Sequence, residues 1–263
     1  MASKTSGDHV LEMVRYRELL KNLIVNDLRL RYRRSVLGFL WSLLNPLLMM
    51  VILTVVFSTV MRFSIKDYSV LLLSGLLPWT FLSQSITNAL GSVVGKGALL
   101  RKVYIPKTVI PLSAVLASFV NFALSMLPFL VLLVIIGHPV RPAMAMIPVA
   151  MLLMALFAAG ISYVFACLNV FFRDFTHMTE VLIQAWFYAS PIIYNLDMVP
   201  PRYRPLFSWN PVVYLVDCFR EPIYYGRLPD ARTLFLAVLV SAGSFVLGFR
   251  IFTRYEREFV LHV

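Results

Sequence analysis

The chain alternates long stretches of apolar residues with short segments that carry most of its charge. The first long stretch, residues 36–61, contains 26 consecutive uncharged residues. As an α-helix it would rise about 39 Å, whereas the hydrocarbon core of a bilayer is about 30 Å thick. This length predicts a transmembrane helix with room to tilt.

Five further stretches have the same character. They predict spans over residues 69–90, 108–136, 143–170, 177–194 and 233–249. Small residues in the fourth span, such as Gly160, favour close contact with a neighbouring helix. The turn after it is so short that the fourth and fifth spans should be antiparallel neighbours. We therefore expect an all-α integral membrane protein with six transmembrane helices.

The segment before the first span has its own periodicity. Within residues 10–34, Leu20, Leu23, Ile24 and Leu28 recur at helical spacing, and basic residues occupy the other faces. This pattern predicts an amphipathic helix in the membrane interface, and a solvated charged tail is the alternative.

Residues 91–107 interrupt the apolar pattern with four basic residues and three glycines. They predict a short cytoplasmic helix, over residues 96–107, between the second and third spans. The sequence GSVVGKG superficially resembles a phosphate-binding loop. However, its glycine spacing is one residue short and no Ser or Thr follows the lysine, so we do not assign a nucleotide site.

The longest connection lies between the fifth and sixth spans and is rich in aromatic residues. Its apolar runs are broken by Pro205, Pro211 and Pro222. A helix over residues 211–219 covers only about 14 Å, which is too short to cross a bilayer. We expect re-entrant gate helices over residues 205–226, and an amphipathic loop on the membrane surface is the alternative.

Composition and charge agree with a membrane protein. The chain is 60% hydrophobic and only 14% charged, whereas soluble domains are about 25% charged. A net charge of +11 would suggest a nucleic-acid partner in a soluble protein. Here the basic residues cluster at the ends of spans, which points to membrane lipid and not to nucleic acid. With both termini in the cytoplasm, the cytoplasmic segments hold 16 of the 24 basic residues, as the positive-inside rule requires.

The predicted spans contain few groups that could carry a coupled ion or perform chemistry, which argues against a proton- or sodium-coupled transporter. His177 and Glu180 have a spacing that metal sites use, but no second pair accompanies them, so we predict no metal site. An enzyme acting on lipid-linked sugars remains an alternative. Its candidate acidic residues each have an arginine within a few positions, which favours paired loop charges: Asp197, Asp217, Glu221 and Asp230.

Aromatic residues are abundant. Most of them should belong to the protein core or to interfacial belts. Aromatic faces also stack on sugar rings, so some of them are candidates for the lining of a path for a polar polymer.

Six motifs together carry a family resemblance. They are LRYRRSVLGFLWSLLNPLL (residues 30–48), GLLPWTF (75–81), RKVYIPK (101–107), LNVFFRD (168–174), SPIIY (190–194) and NPVVYLVDCFREPI (210–223). Each is weak alone, but in this order relative to the spans they resemble the transmembrane subunit of ATP-binding-cassette (ABC) exporters for cell-surface polysaccharides. O-antigen, capsule and teichoic acid are such polysaccharides, and the resemblance covers essentially the full length.

The resemblance implies a permease, not an enzyme, in the bacterial cytoplasmic (inner) membrane. Such a permease forms one transmembrane domain over residues 1–263 and assembles with a second copy of itself and two separate ABC ATPase subunits. ATP and Mg²⁺ bind to the ATPase, and this chain binds no cofactor. The cargo is a glycan linked to an undecaprenyl-diphosphate-type lipid.

The resemblance also implies roles for particular residues. The lipid diphosphate binds at Arg29, Arg31, Arg33 and Arg34. The glycan channel is lined by Phe39, Trp41, Trp186, Phe187, Tyr188 and Tyr194. Coupling to the ATPase uses Leu100, Arg101, Lys102, Tyr104, Ile105, Pro106, Arg173 and Asp174. The outer gate includes Trp209, Tyr214 and Tyr224. An ABC exporter of a small lipid or drug shares this fold and is the alternative function.

Overall fold

The computed structural model describes residues 16–32, 67–102 and 105–259, together with seven isolated helical positions between residues 40 and 55. These residues form helices and connections with no strand among them, which confirms the all-α prediction for this part of the chain. The helices are α1 (Arg17–Tyr32), α2 (Tyr68–Leu90), α3 (Ser92–Gly95), α4 (Gly97–Lys102), α5 (Val109–Ile135), α6 (Ile147–Phe171), α7 (Phe175–Tyr188), α8 (Arg204–Phe207), α9 (Pro211–Arg220) and α10 (Ala231–Tyr255). Single turns of 3₁₀ helix cover Pro142–Met146 and Leu196–Met198, and a π-helical turn covers Glu221–Tyr225.

Four helical stretches among the described residues are long and apolar enough to cross a membrane. They are α2, α5, the continuous stretch Pro142–Phe171 that contains α6, and α10. These stretches coincide with the second, third, fourth and last spans expected from the sequence. The chain is therefore a membrane protein with at least these four candidate spans.

The predicted fifth span differs from its expected form. Helix α7 has 14 residues and ends at Tyr188, so it rises only about 21 Å. The reason is local: a residue that precedes proline is disfavoured in the α conformation, and Ser190 precedes Pro191. The Ser190 hydroxyl instead donates to the carbonyl of Trp186 at 2.8 Å and closes the helix. Residues 177–194 are thus not one helix, and α7 alone falls short of a span.

The predicted first span, residues 36–61, lies mostly outside the described residues. Its described positions are helical, and all but Leu44 are exposed. The six-span arrangement therefore stays a prediction.

Helix α2 is the centre of the described bundle. It packs against α5, α6 and α9, and most of its residues are buried, on all faces of the helix. Phe81 stacks on Phe122 of α5 with ring centroids 4.9 Å apart, and the neighbouring Leu82 is fully buried. Because lipid tails are as apolar as leucine, close packing of this kind, more than removal from water, holds such helices together.

Helices α6 and α10 meet along a seam of small residues, with their backbones in contact. A methyl group added at Gly248 would collide with the backbone of Gly160, and one added at Gly160 would collide with the backbone of Ser244. The Ser244 hydroxyl also donates to the carbonyl of Phe157 at 3.2 Å. The expectation that Gly160 permits close helix contact is confirmed.

Helix α1 has the amphipathic pattern predicted for the interface helix over the residues described. Leu23 is buried and Leu28 is half-buried, whereas Lys21 and Arg29 are exposed. The apolar face packs on α5. The ends of the predicted helix, residues 10–15 and 33–34, lie outside the described residues.

Candidate functional site

The segment that joins α2 to α5 is fastened to the bundle at both of its ends. Near its start, the ammonium of Lys96 lies 3.4 Å from the carboxylate of Asp27 in α1. At its end, the ammonium of Lys107 donates to the backbone carbonyl of Glu256 and lies 5.9 Å from the ring centroid of Phe259. Burial lowers the pKa of Lys107, and the negative charge of Glu256 opposes that shift.

The predicted coupling residues divide between buried and exposed positions. Ile105 and Pro106 are buried and Leu100 is half-buried, so these three hold the segment against the bundle. Arg101 and Lys102 lie in α4. Their side chains, and the whole of Tyr104, are outside the described residues.

A single asparagine near the end of α6 connects the end of α2 to the start of α7. The Asn169 amide donates to the carbonyl of Leu90 at 3.0 Å, and its oxygen accepts from the Thr176 hydroxyl at 2.9 Å. Arg173 and Asp174 are exposed in this turn. The two predicted ATPase contacts therefore lie on the same end of the bundle. Asn169 was not predicted from the sequence, although a buried amide within an apolar run is a signal of its own.

The predicted lipid-diphosphate residues are described only in part. Arg29 is exposed on α1, and Arg31 lies one half-turn further along the same helix. The side chain of Arg31, and Arg33, Arg34 and the channel candidate Phe39, are outside the described residues. Trp41 is described and is half exposed.

The aromatic residues of α7 point in different directions. The Trp186 ring packs edge-on against Trp79 of α2, with centroids 6.1 Å apart, and edge-on against Phe157 of α6, also at 6.1 Å. The ring centroid of Phe187 lies 5.6 Å from that of Trp79. Tyr188, in contrast, is 60% exposed. Within one protomer, Trp186 and Phe187 therefore help to anchor α7, and Tyr188 is available to a ligand or a partner.

Asn210 connects the end of α7 to the start of α9 and was missed by the sequence analysis. Its side-chain oxygen accepts from the indole Nε1 of Trp186 at 2.9 Å and from the backbone N–H of Val212 at 3.1 Å. Its amide nitrogen donates to the Ala189 carbonyl at 3.0 Å and to the Ser190 hydroxyl at 2.9 Å. The signal was present, because Asn followed by Pro is a favoured start of a helix.

The predicted gate region forms a set of short helices, α8, α9 and the π-helical turn after α9. Trp209 between α8 and α9 is 87% exposed. The Tyr214 hydroxyl donates to the Ser208 carbonyl at 2.7 Å, and the rings of Tyr224 and Tyr225 lie edge-to-face 4.9 Å apart. Tyr194, the remaining channel candidate, donates to the Tyr188 carbonyl at 3.0 Å.

A buried arginine near the end of α9 bonds to the connection that follows α7. Arg220 is only 2% exposed, and its guanidinium donates to the carbonyl of Ile192 at 3.1 Å. The guanidinium lies close to α2 at Gly75, where an added methyl group would be only 3.1 Å from it. The gate segment is thus fixed to the connection after α7 by a buried hydrogen bond, which lies directly against α2 at Gly75.

Polar contacts also hold the gate segment at its far end. His138 donates from Nε2 to the Ile223 carbonyl at 2.9 Å, and Nδ1 lies 3.6 Å from the carboxylate of Asp67. Arg227 pairs with Glu221, and this hydrogen bond raises the pKa of Arg227. In the described part of the chain, no three His, Cys, Asp or Glu residues are grouped as a metal site would need.

Comparison with known proteins gives consistent results. The sequence profile of the ABC-2 type transporter family matches residues 18–224. The chain is 34% identical to the O-antigen export system permease protein RfbA of Myxococcus xanthus, over 95% of this chain and 97% of that protein. It is 32% identical to the protein of the same name from Klebsiella pneumoniae, over 92% and 93% of the two chains. It is also 22% identical to the polysialic acid transport protein KpsM of Escherichia coli, over 89% and 92%.

Proposed function

The chain belongs to the ABC-2 type transporter family of membrane proteins, and we propose that it is the permease subunit of an ABC exporter for a lipid-diphosphate-linked polysaccharide. The observation that carries this proposal is the 34% identity to an O-antigen export permease over nearly the whole of both chains. The cargo is a polymer of the O-antigen, capsule or teichoic-acid type. It moves from the cytoplasm across the bacterial inner membrane.

The exporter is proposed to contain two copies of this chain and two ABC ATPase subunits. ATP and Mg²⁺ bind to the ATPase, and this chain supplies the path without a cofactor of its own. Both termini face the cytoplasm, so the end of the bundle with the coupling segment and the turn of Arg173 and Asp174 meets the ATPase. The positive-inside count supports that orientation.

The fastening of the coupling segment explains how it can transmit motion. A segment bound to α1 through Lys96 and to the end of α10 through Glu256 cannot shift without pulling on both. When ATP closes the ATPase dimer, the segment moves, and the bundle moves with it. ATP hydrolysis in the ATPase supplies the energy for export, and these contacts transmit the resulting movement to the bundle.

The cargo is proposed to bind first at α1. Arginine pairs with phosphate oxygens through two parallel hydrogen bonds, so Arg29, Arg31, Arg33 and Arg34 suit a diphosphate. The glycan then follows exposed aromatic surface, for which Trp41 and Tyr188 are the candidates with the best exposure. Trp186 and Phe187 do not line this surface in the proposal, and they fix the position of α7 by packing on Trp79.

The gate is proposed to be the set of short helices that includes Trp209, Tyr214 and Tyr224. Asn210 holds this set to α7, and Arg220 holds it to the connection that follows α7. Its opening is therefore expected to involve a movement of α7 and of the connection after it, and such a movement is what the ATPase would drive.

Export in cells tests the proposal directly. Deleting the gene for this chain in a strain that makes such a polymer should remove the polymer from the cell surface and leave lipid-linked polymer in the cytoplasmic leaflet. Restoring the chain together with its ATPase should reverse both effects. Loss of export of a small lipid or drug, with surface polymer unchanged, would instead support the alternative exporter.

The docking surface is tested by reversing one exposed charge. Arg173→Glu should weaken co-purification of the ATPase and lower export at least several-fold, because the substitution places a repulsive charge at the proposed contact. Arg202→Glu makes the same change at an exposed position of the opposite loop and should leave both unchanged. Equal effects of the two variants would contradict the assignment.

A further inference from the structure

A polar cavity lies where α1 rests on the bundle. It has a volume of about 370 Å³, is open on one side and is lined by residues of α1, α2, α3 and α5 and by Lys96. Ala114 and Ala117 form an apolar part of its wall. The polar part is formed by Asp27, Asn88, Ser92, Lys96, Ser118 and Asn121. The volume falls within the range of small-molecule binding sites.

The charges in the wall restrict the ligand. Lys96 and Asp27 face each other at 3.4 Å, and their side chains are only 21% and 24% exposed. Partial burial strengthens the field of each charge, so Asp27 repels an anion and Lys96 repels a cation. Because the pair is neutral as a unit, the cavity favours a ligand without net charge.

The remaining polar groups favour a ligand rich in hydroxyl groups. Asn88 donates to the Ser118 hydroxyl at 2.9 Å, and Ser118 donates in turn to the Ala114 carbonyl. Amide and hydroxyl side chains can both donate and accept hydrogen bonds, and so can each hydroxyl of a sugar. A mixture of four such groups and one ion pair therefore matches a sugar ring better than it matches an apolar ligand.

The position of the cavity relates it to the proposed cargo. Arg31 follows Asp27 by four positions in α1, which is about one helical turn. The proposed diphosphate site and the cavity thus share one short stretch of the interface helix. In a lipid-diphosphate-linked polymer, the group attached directly to the diphosphate is a sugar.

We propose that this cavity binds the first sugar of the polymer, a neutral hexopyranose next to the lipid diphosphate. The inference rests on the proposed function, and it assigns the recognition of the first sugar to Asn88, Ser118 and the Lys96 and Asp27 pair. The arginines of α1 would bind any lipid diphosphate, and the cavity would add the preference for a glycosylated one.

Binding of two matched probes tests the proposal. Farnesyl diphosphate and farnesyl diphosphates that carry one glucose or one N-acetylglucosamine are titrated into the permease and ATPase complex in nanodiscs of phosphatidylglycerol. At least one glycosylated probe should bind about tenfold tighter than the bare probe. Asn88→Leu and the milder Ser118→Ala should each reduce that preference, and Asn88→Leu should abolish it. Thr87→Leu, at the exposed neighbouring position, should retain it.

The outcomes separate this inference from the proposed function. If wild type binds all probes equally while the cells still export polymer, the cavity does not recognise the sugar and the inference is wrong. If Asn88→Leu and Thr87→Leu lower the affinity for every probe alike, the effect is structural and the inference is also wrong. If phosphatidylethanolamine nanodiscs remove the preference by competition, the cavity is a lipid head-group site. If surface polymer does not depend on the chain at all, the proposed function itself fails.

Discussion

Helices α10 and α7 are both apolar, yet they are held in place in opposite ways. Helix α10 is 25 residues long and contacts α6 backbone to backbone through Gly248 and Gly160. Helix α7 has 14 residues, buries only Thr179 fully, and is anchored by the rings of Trp186 and Phe187 and by the Asn210 network. One helix depends on continuous close packing and the other on a few contacts at its end.

This difference separates a fixed part of the bundle from a part that can move. Two backbones in contact have no side chains that could rearrange, so the α6 and α10 seam should stay intact in every state. A helix with few buried contacts opens at a lower cost in free energy. Exposed apolar residues such as Val181, at 68% exposure, also leave α7 free to meet a second copy or the cargo.

The seam should give the largest effect on stability. Gly248→Leu forces a side chain into the backbone of Gly160, and we expect a loss of about 3 kcal/mol or more in the free energy of unfolding, with little folded protein. Gly243→Leu is the matched control, since a methyl group added at Gly243 meets nothing within 4 Å. Thermal unfolding in detergent measures both, and equal stability of the two variants would show that the seam is not tight.

The Asn210 network should give the next largest effect. Asn210→Ala removes four hydrogen bonds and leaves the Trp186 indole without its acceptor, at an expected cost of about 2 kcal/mol. Asn210→Asp keeps both acceptor contacts and loses the two donated bonds, so it should recover part of the stability. Unfolding of both variants is compared with their export activity. Normal export by Asn210→Ala would contradict a role in holding the gate to α7.

The comparison also shows how far the sequence alone could predict this structure. The length of an apolar run indicates the length of a span, so the predicted bounds are close to those of α2, α5 and α6, and Gly160 indicated the close contact of α6. Helix α10 continues six residues beyond the predicted end at residue 249, because its last turns include charged residues such as Arg250 and Arg254. The direction of Trp186 was not predictable, because an aromatic residue near a span end looks the same whether it packs on Trp79 or faces a channel. Its direction depends on tertiary contacts with Trp79, Phe157 and Asn210, each in a different part of the chain.

The candidate site was harder to predict than the spans for a related reason. Residues 96–107 were recognised as a separate segment from their charges and glycines, but which of them are buried depends on tertiary contacts. Ile105 and Pro106 are covered by the bundle, which no local pattern indicates. The sequence marks Asn169 and Asn210 as unusual positions, but their hydrogen-bond partners lie in other parts of the fold, and the cavity beside Lys96 is lined by several helices. These contacts are therefore defined only when the helices are assembled.

Substitutions at two positions of α7 test the difference between α7 and α10 with smaller expected effects on stability. Ile183 is half-buried against the core, whereas Val181 is exposed. We expect Ile183→Ala to cost about 1–2 kcal/mol in the free energy of unfolding, below the range for fully buried sites. Val181→Ala should change it by less than about 0.5 kcal/mol and yet lower export, because that face is proposed to meet a second copy or the glycan. Equal losses of stability would show that α7 is packed like α10.

Only a small effect is expected at the start of α10, because the packing of α10 on α6 should stabilise the helix even without its N-terminal cap. The Asp230 carboxylate accepts from the backbone N–H of Thr233 at 3.4 Å, and its hydrogen bonds with Thr233 lower the pKa of Asp230. Because its pKa is lowered in the folded state, the Asp230 carboxylate stabilises the folded protein at pH values above the unfolded-state pKa of about 3.9. This stabilisation is lost as the pH falls through the folded-state pKa. Asp230→Ala should therefore cost at most about 1 kcal/mol at pH 7, and the difference from wild type should shrink as the pH falls below about 3.9 toward the lowered folded-state pKa. Thermal unfolding from pH 7 to pH 3 measures this difference. A loss as large as that of Gly248→Leu would mean that the end of α10, and not its seam with α6, holds the helix in place.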